Sequence, residues 1–174
     1  MMRLETSQYE SPIGPLGIIE CADGPLAVEF SGRLPQLRWA IRARGAAPTV
    51  AVEAGPCRRT SQWLDAYFDG RPGPFPFPRH LARWLDVSAA QLQVFRALRR
   101  IPFGQTRSYA DLAAVTGIHP RAVGQLIGSN HLAILIPCHR VVGRRGDLVG
   151  YGGGIPKKRW LLAHEVRHAR LHLR

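Results

Sequence analysis

SYADLAAVTGIHPRAVGQLIG, residues Ser108–Gly128, carries the clearest architectural signal in the chain. Ser108 followed three residues later by Asp111 has the form of a capping box, in which two side chains satisfy the first free amides of a helix. Leu112 and Ala113 fall on the inward side of the helix that opens there. Gly117 ends it after about three turns. Pro120 suits the first turn of the next helix, because proline lacks an amide that this turn leaves unpaired anyway. Two short helices joined by a glycine turn predict a helix-turn-helix. In the second helix, Ala122, Val123, Leu126 and Ile127 are placed to pack inward. Gly124 and Gly128 lie four apart and share one face. Glycine costs a helix interior about 1 kcal/mol, and a face stripped to glycine lets another surface approach closely. A neighbouring helix and a nucleic-acid groove both fit that face.

The same reading extends outward. Ser88 with Gln91 forms a second capping pair, opening a helix with Leu92, Phe95 and Leu98 on one face until Pro102–Gly104 breaks it. Downstream, Leu132–Ile136 (LAILI) is a short apolar run expected to be buried, and its end delivers Pro137, Cys138, His139 and Arg140. Val149–Gly154 (VGYGGG) is a glycine-rich loop. Pro156 begins a helix through Trp160, Leu161, Leu162 and Glu165. Arg167–Arg174 is basic and expected to be solvated. Nearer the start, Leu16–Glu20 and Leu26–Phe30 read as short strands around a Gly24–Pro25 turn. Arg58–Phe68 reads as a helix with Trp63, Leu64, Tyr67 and Phe68 on its apolar face, stopped by Gly70. Arg71–Pro78 (RPGPFPFP) cannot hold a regular element and reads as a linker, with a boundary near residues 79–87. The expectation is an α+β chain, with a small α/β structural domain over 1–80 and a mainly helical domain containing the helix-turn-helix over 85–174.

Composition narrows the partner. The 174 residues are 45% hydrophobic, enough for a packed core, and carry a formal net charge of +12. A folded chain this basic meets a polyanion, either nucleic acid or an anionic membrane surface. Lys157 and Lys158 are the only lysines, so the positive charge is nearly all arginine. Arginine suits bidentate phosphate contacts and stacking on bases, although a codon preference for arginine gives the same composition. Met1–Ser11 has no apolar core of a signal peptide, and no run approaches the roughly 18 apolar residues of a membrane span. Cys21, Cys57 and Cys138 are widely spaced and odd in number, which supports neither a disulfide framework nor a zinc finger. A cytoplasmic protein with free thiols is expected.

A cysteine at the end of a buried run is ordinarily inert, but the neighbours of Cys138 change that reading. His139 follows it, Arg140 adds positive potential, and Glu165 on a later helix is placed to orient a histidine. The thiolate is the nucleophilic form, and a free thiol titrates near about 8.5. A positioned histidine takes the proton, and a carboxylate holds its imidazole in one tautomer.

The stretch IPCHRVV at Ile136–Val142 resembles the active-site signature of the O6-alkylguanine-DNA alkyltransferases. RSYADLA at Arg107–Ala113, RAVG at Arg121–Gly124, Asn130, YGGG at Tyr151–Gly154 and WLLAHE at Trp160–Glu165 follow in that family's order. The resemblance is strong from Val94 to Glu165 and looser before it, where SPIGPLGIIE (Ser11–Glu20) and YFDG (Tyr67–Gly70) look like family features.

The resemblance implies a ribonuclease-H-like first domain and direct-reversal DNA repair. The alkyl group of O6-alkylguanine, with O4-alkylthymine a further candidate, passes irreversibly to Cys138 in a single turnover without cofactor. It implies that His139 deprotonates Cys138 through a bridging water and that Glu165 orients His139. Tyr109 contacts the flipped guanine and assists proton transfer to the leaving base. Arg121 fills the gap left by that nucleotide, and Asn130 braces the turn between recognition helix and active-site strand. Arg121, Ala122, Gly124, Gly128 and Arg140 form the DNA-binding set. The base pocket comprises Tyr109, Val141, Tyr151 and Gly152, with the backbone of Cys138, Val141 and Gly152 reading the guanine edge. Some relatives carry serine at Gly152, and the backbone amide survives that difference, in a looser loop. The partner is double-stranded DNA bound through its minor groove by a monomer, with cooperative binding on DNA left open.

The chain departs from the family pattern in two places. Ser88–Ala89–Ala90–Gln91 replaces the aromatic-bearing TPFQ that opens the second domain in relatives, with an expected effect on stability. Some relatives bind zinc in the first domain, but Cys21, Cys57 and His80 do not make a recognisable ligand set, so no metal is expected. Cys138 also excludes the alkyltransferase-like subclass, which carries tryptophan there. Two other readings differ in class. A cysteine hydrolase using Cys138 and His139 predicts repeated turnover. A helix-turn-helix regulator predicts sequence-specific binding unaffected by Cys138→Ala.

Overall fold

The computed structural model describes residues 2–30, 50–75 and 87–171. The chain divides into two compact units. One comprises Met1–Val87 with His131–Ala133, and the other Ser88–Asn130 with Ile134–Arg174. The first unit is a sheet with a helix and the second is mainly helical, an α+β chain as expected. Residues 76–78 of the expected linker, its boundary at 79–86, and His80 lie outside the described residues.

In the first unit, β1 (Met2–Tyr9), β2 (Leu16–Cys21), β3 (Gly24–Phe30) and β4 (Val50–Ala54) form a sheet of order β3-β2-β1-β4. β1 pairs antiparallel with β2 and parallel with β4. The two expected strands are present, each slightly longer than read. The sequence reading places no strand over β1 or β4; MRLETSQY of β1 is mostly polar and, among its described side chains, buries only Leu4 completely, so its alternation is faint. β3 is buried along its whole length, as in a strand covered on both faces, with Glu29 interrupting an otherwise apolar run.

Helix α1 spans Arg58–Phe68 as read and buries Thr60, Leu64 and Tyr67. Thr60 fixes its start, since its backbone amide and hydroxyl both donate to Glu20 Oε2, at 3.1 and 2.6 Å. The segment after Gly70 is less free than a linker. The Trp63 indole donates to Gly73 O at 2.8 Å, and Phe75 is buried edge-on against that ring.

The edge of β3 is closed by a distant piece of chain. Val28 N donates to His131 O at 2.8 Å and Ala133 N donates to Val28 O at 2.9 Å. Glu29, buried beside them, pairs with His131 Nδ1 at 2.7 Å. A contiguous division of the chain did not include this return.

The second unit contains α2 (Ala89–Arg99), β5 (Arg107–Ser108), α3 (Tyr109–Thr116), α4 (Pro120–Gly128), β6 (Val141–Val142) and α5 (Ile155–Leu171). The capping box that opens α3 is complete: Ser108 Oγ accepts from Asp111 N at 3.1 Å and Ser108 N donates to Asp111 Oδ2 at 2.8 Å. Gly117 ends α3 with φ 67°, where a side chain is strained. Only half of the pair expected at α2 forms. Ser88 accepts from Gln91 N, while the Gln91 side chain donates to Ser129 Oγ at 2.7 Å and ties α2 to the end of α4. The buried side of α2 carries Val94, Phe95, Ala97 and Leu98; Leu92 is only half-buried.

Leu132–Ile136 is buried as expected, but no strand forms there. The run turns, with Ile134 at φ 71°, and leads into one turn of 3₁₀ helix over Cys138–Arg140. β6 then pairs parallel with β5, Arg107 opposite Val141 and Ser108 opposite Val142. The start of the helix-turn-helix is thereby held beside the chain that follows Cys138. α5 continues past Glu165 to Leu171, so Arg167 stands exposed on a helix. No helix among the described residues is long and apolar enough to cross a membrane.

Candidate active site

Cys138 opens the 3₁₀ turn and is half-buried. Its amide donates to Ile136 O at 2.7 Å, and Arg140 N donates to Pro137 O at 3.0 Å, so the turn is closed by its own backbone. Asn130, the residue expected as a brace, is itself buried. Its Nδ2 donates to Ile136 O at 3.0 Å and lies 3.2 Å from Cys138 Sγ. Asn130 N also donates to Ile127 O in the last turn of α4. One amide side chain therefore links the end of α4 to the cysteine.

Behind Cys138 is a buried charged cluster. His139 and Glu165 are both 0% exposed, with Nε2 of His139 2.6 Å from Glu165 Oε1. Arg140 grips the same carboxylate, Nε at 2.8 Å from Oε2 and Nη2 at 3.0 Å from Oε1, and its Nη1 donates to Ile101 O at 2.7 Å. Gly104 N donates to Glu165 Oε2 at 3.0 Å. That approach requires glycine: at φ 78°, a Cβ there meets Ala169 Cβ at 2.7 Å.

Electrostatics fixes the protonation of this cluster. Burial alone raises the Glu165 carboxyl, but hydrogen bonds from His139 and Arg140 and the charge of Arg140 outweigh it and bring it down to about 2. Burial lowers His139, against the pull of Glu165, and the Arg140 and Lys158 cations lower it further. Glu165 is thus the anion and His139 a neutral imidazole. Because Nε2–H points at the carboxylate, Nδ1 is the basic nitrogen.

Tyr109 begins α3, half-buried, and a Cβ built on Gly124 lies 3.7 Å from its ring. Burial raises its phenol, and negative charge on Cys138 raises it again. Val141 is fully buried, Tyr151 is half-buried with its ring centroid 6.5 Å from that of His139, and Gly152 is exposed in the glycine loop. Arg121 and Gly128 are exposed on α4, with Ala122 and Gly124 half-buried. Arg140 does not join them. Only 8% exposed, it is committed to Glu165.

Sequence reasoning missed Lys158. It is fully buried, its Nζ donates to Val149 O at 2.8 Å, and it is close enough to Cys138 for their charges to couple. Burial lowers its ammonium, and the cysteine's negative charge raises it. The available signal was one of only two lysines in an arginine-rich chain, placed in the first turn of a helix after a glycine loop. Cys21 and Cys57 are buried in the first unit, and burial raises both thiols. Among the described residues, no group of three or more His, Cys, Asp or Glu is placed to hold a metal ion.

Both depressed groups stabilise the fold above their ordinary values and lose that contribution in acid. For His139 the loss begins as pH falls below 6.5. For Glu165 it begins below 4.5 and runs towards 2. Chemical unfolding across this range is therefore expected to show stability falling from pH 6.5 downward. Glu165→Gln is expected to cost about 3–5 kcal/mol near neutral pH, since it leaves Arg140 buried without its anion, and to flatten the curve below pH 4.5. An unchanged pH profile in that variant contradicts this assignment.

Residues 89–167 match the family model described as 6-O-methylguanine DNA methyltransferase, DNA binding domain. Over 173 residues the chain is 53% identical to the methylated-DNA–protein-cysteine methyltransferase of Salmonella typhimurium, covering 95% of this chain and 97% of that one. The protein of the same name from Mycolicibacterium paratuberculosis is 46% identical over 110 residues, which is 61% of this chain and 63% of its own length. Among solved structures, Mycobacterium tuberculosis OGT in complex with DNA matches with a TM-score of 0.72 at 33% identity, covering 95% of this chain and 94% of that one. With a relative this similar along nearly its whole length, the chain belongs to the methylated-DNA–protein-cysteine methyltransferase family.

Proposed function

We propose that this protein repairs O6-alkylguanine in DNA by moving the alkyl group onto Cys138. The observation that carries this reading is a half-exposed cysteine backed by a buried histidine–carboxylate–arginine cluster. His139 Nδ1 takes the thiol proton through a bridging water. The sulfur attacks the alkyl carbon, the S–C bond forms, and the C–O6 bond breaks with its electron pair going to the guanine. Tyr109 supplies the proton that the departing base needs. Arg140 and Glu165 cancel as a pair, so Lys158 supplies the cation that favours the thiolate. The product is a thioether, which has no carbonyl for water to attack. Cys138 is not regenerated, each molecule turns over once, and no cofactor enters the balance. O4-alkylthymine presents the same alkyl–oxygen bond and is included in the proposed substrates.

The reactive carbon lies inside a duplex, so the nucleotide must be extruded. Arg121, exposed at the start of α4, fills the vacated stack. The glycines of α4 support contact through the minor groove. A Cβ at Gly128 meets nothing within 4 Å and one at Gly124 meets only ordinary contact with Tyr109, so internal packing requires neither glycine. Val141, Tyr151 and the backbone at Gly152 line the base pocket. Arg140 belongs to the catalytic cluster in this scheme, in place of the DNA-binding role that the resemblance implies. The protein acts as a monomer, with cooperative loading on DNA left to measurement, in a reducing cytoplasm that keeps Cys138 a thiol.

Incubation with a duplex containing one O6-methylguanine, followed by intact mass measurement, tests the reaction. The expected result is a gain of about 14 Da that saturates at one per protein and is absent from Cys138→Ala. Lys158→Met is expected to slow transfer about tenfold near neutral pH and to shift its profile alkaline. Lesion binding without mass gain overturns the reaction. A second consequence concerns α4. Gly124→Ala is expected to stabilise the free protein by up to about 1 kcal/mol while weakening duplex binding. Higher stability with unchanged DNA affinity contradicts the groove assignment.

A further inference from the structure

Helices α2 and α3 enclose a cleft of about 300 Å³ that the repair reaction does not use. Its floor is apolar, with Ile101 and Leu112 buried beneath it. Val115 stands at its rim, 71% exposed, the most exposed large hydrophobic residue among those described. Arg96, Arg100 and Arg107, all exposed, complete the rim. The one carboxylate there, Asp111, accepts from Ser108 N at 2.8 Å in its own helix cap and also feels the charge of Arg107, so the rim keeps a net positive charge. The cleft is pre-formed, because the Gln93 side chain of α2 donates to Thr116 O of α3 at 2.8 Å, while the Thr116 hydroxyl donates within α3 to Leu112 O at 2.7 Å.

We propose that this cleft docks an acidic peptide segment carrying one or two large apolar side chains, presented by a partner protein. The apolar side chains cover Val115 and the floor, and the acidic groups meet the three arginines. Charge complementarity selects the partner and speeds encounter, and a rigid cleft leaves only the peptide to be ordered. A phosphate backbone matches the arginines but has nothing to place on the apolar floor. Geometry also separates this cleft from the DNA-binding face. Asp111 and Val115 lie roughly 200° and 240° round α3 from Tyr109, whose ring meets α4 at Gly124. Peptide and duplex are therefore held on different sides of α3 and bind together.

Fluorescence anisotropy with a labelled Glu-Asp-Leu-Phe-Asp-Glu peptide on the full chain tests the proposal. Saturable binding that weakens with salt is expected, with at least tenfold loss in Arg100→Glu and in Val115→Asp. Lys-Arg-Leu-Phe-Arg-Lys and Glu-Asp-Ser-Ser-Asp-Glu are expected not to bind. Both variants are expected to keep full methyl transfer by mass, which separates loss of docking from loss of fold or of repair. Saturating undamaged duplex is expected to leave the peptide bound. Absence of saturable binding, equal binding by both variants, or displacement by duplex overturns the proposal; displacement marks the cleft as a phosphate site.

Discussion

The buried carboxylate of Glu165 is the constraint on which the catalytic unit depends. It accepts from His139, from Arg140 and from the backbone of Gly104, and so joins α5, the 3₁₀ turn and the loop before β5 at one point. An anion in a dry interior is costly unless charge and hydrogen bonds compensate it. Here Arg140 supplies the charge and three groups supply the bonds. The same arrangement sets the chemistry, because a carboxylate that holds Nε2–H leaves Nδ1 basic. Structure and acid–base function rest on the same interaction, so neither His139 nor Arg140 is replaceable without disturbing both.

Around that hub, short polar links bring distant sequence to the cysteine. Asn130 ties the end of α4 to Ile136 and Cys138, and the β5–β6 pair holds the start of α3 beside the residues that follow Cys138. Lys158 does the same for the glycine loop through Val149. The helix-turn-helix and the nucleophile are consequently one unit, which suits a protein that binds DNA and carries an alkyl acceptor.

Much of this was legible because local chemistry specified it. Ser108 and Asp111 predicted a capping box that forms in full, and α1 lies over Arg58–Phe68 as its apolar spacing indicated. His139 and Glu165, singled out by motif, meet at 2.6 Å in the structure. The rest depended on tertiary partners. Gln91 belongs to a capping pattern by spacing, but Ser129 competes for its side chain. Leu132–Ile136 is apolar enough for a strand, yet it turns at Ile134. Arg140 stands in the DNA-binding set that the resemblance implies, yet it is buried against Glu165. Lys158 left almost no trace, since nothing in a sequence distinguishes a buried lysine from a solvated one. β1 escaped notice because its polar residues obscure the alternation.

His139 is a neutral base whose unprotonated nitrogen is Nδ1, held so by Glu165. ¹⁵N NMR of histidine-labelled protein between pH 6 and 8 reads this state directly. The expected result is a His139 signal with a protonated Nε2, an unprotonated Nδ1 and no titration across that interval. A His139 imidazolium at pH 7, or a proton residing on Nδ1, contradicts it and removes the general base from the mechanism.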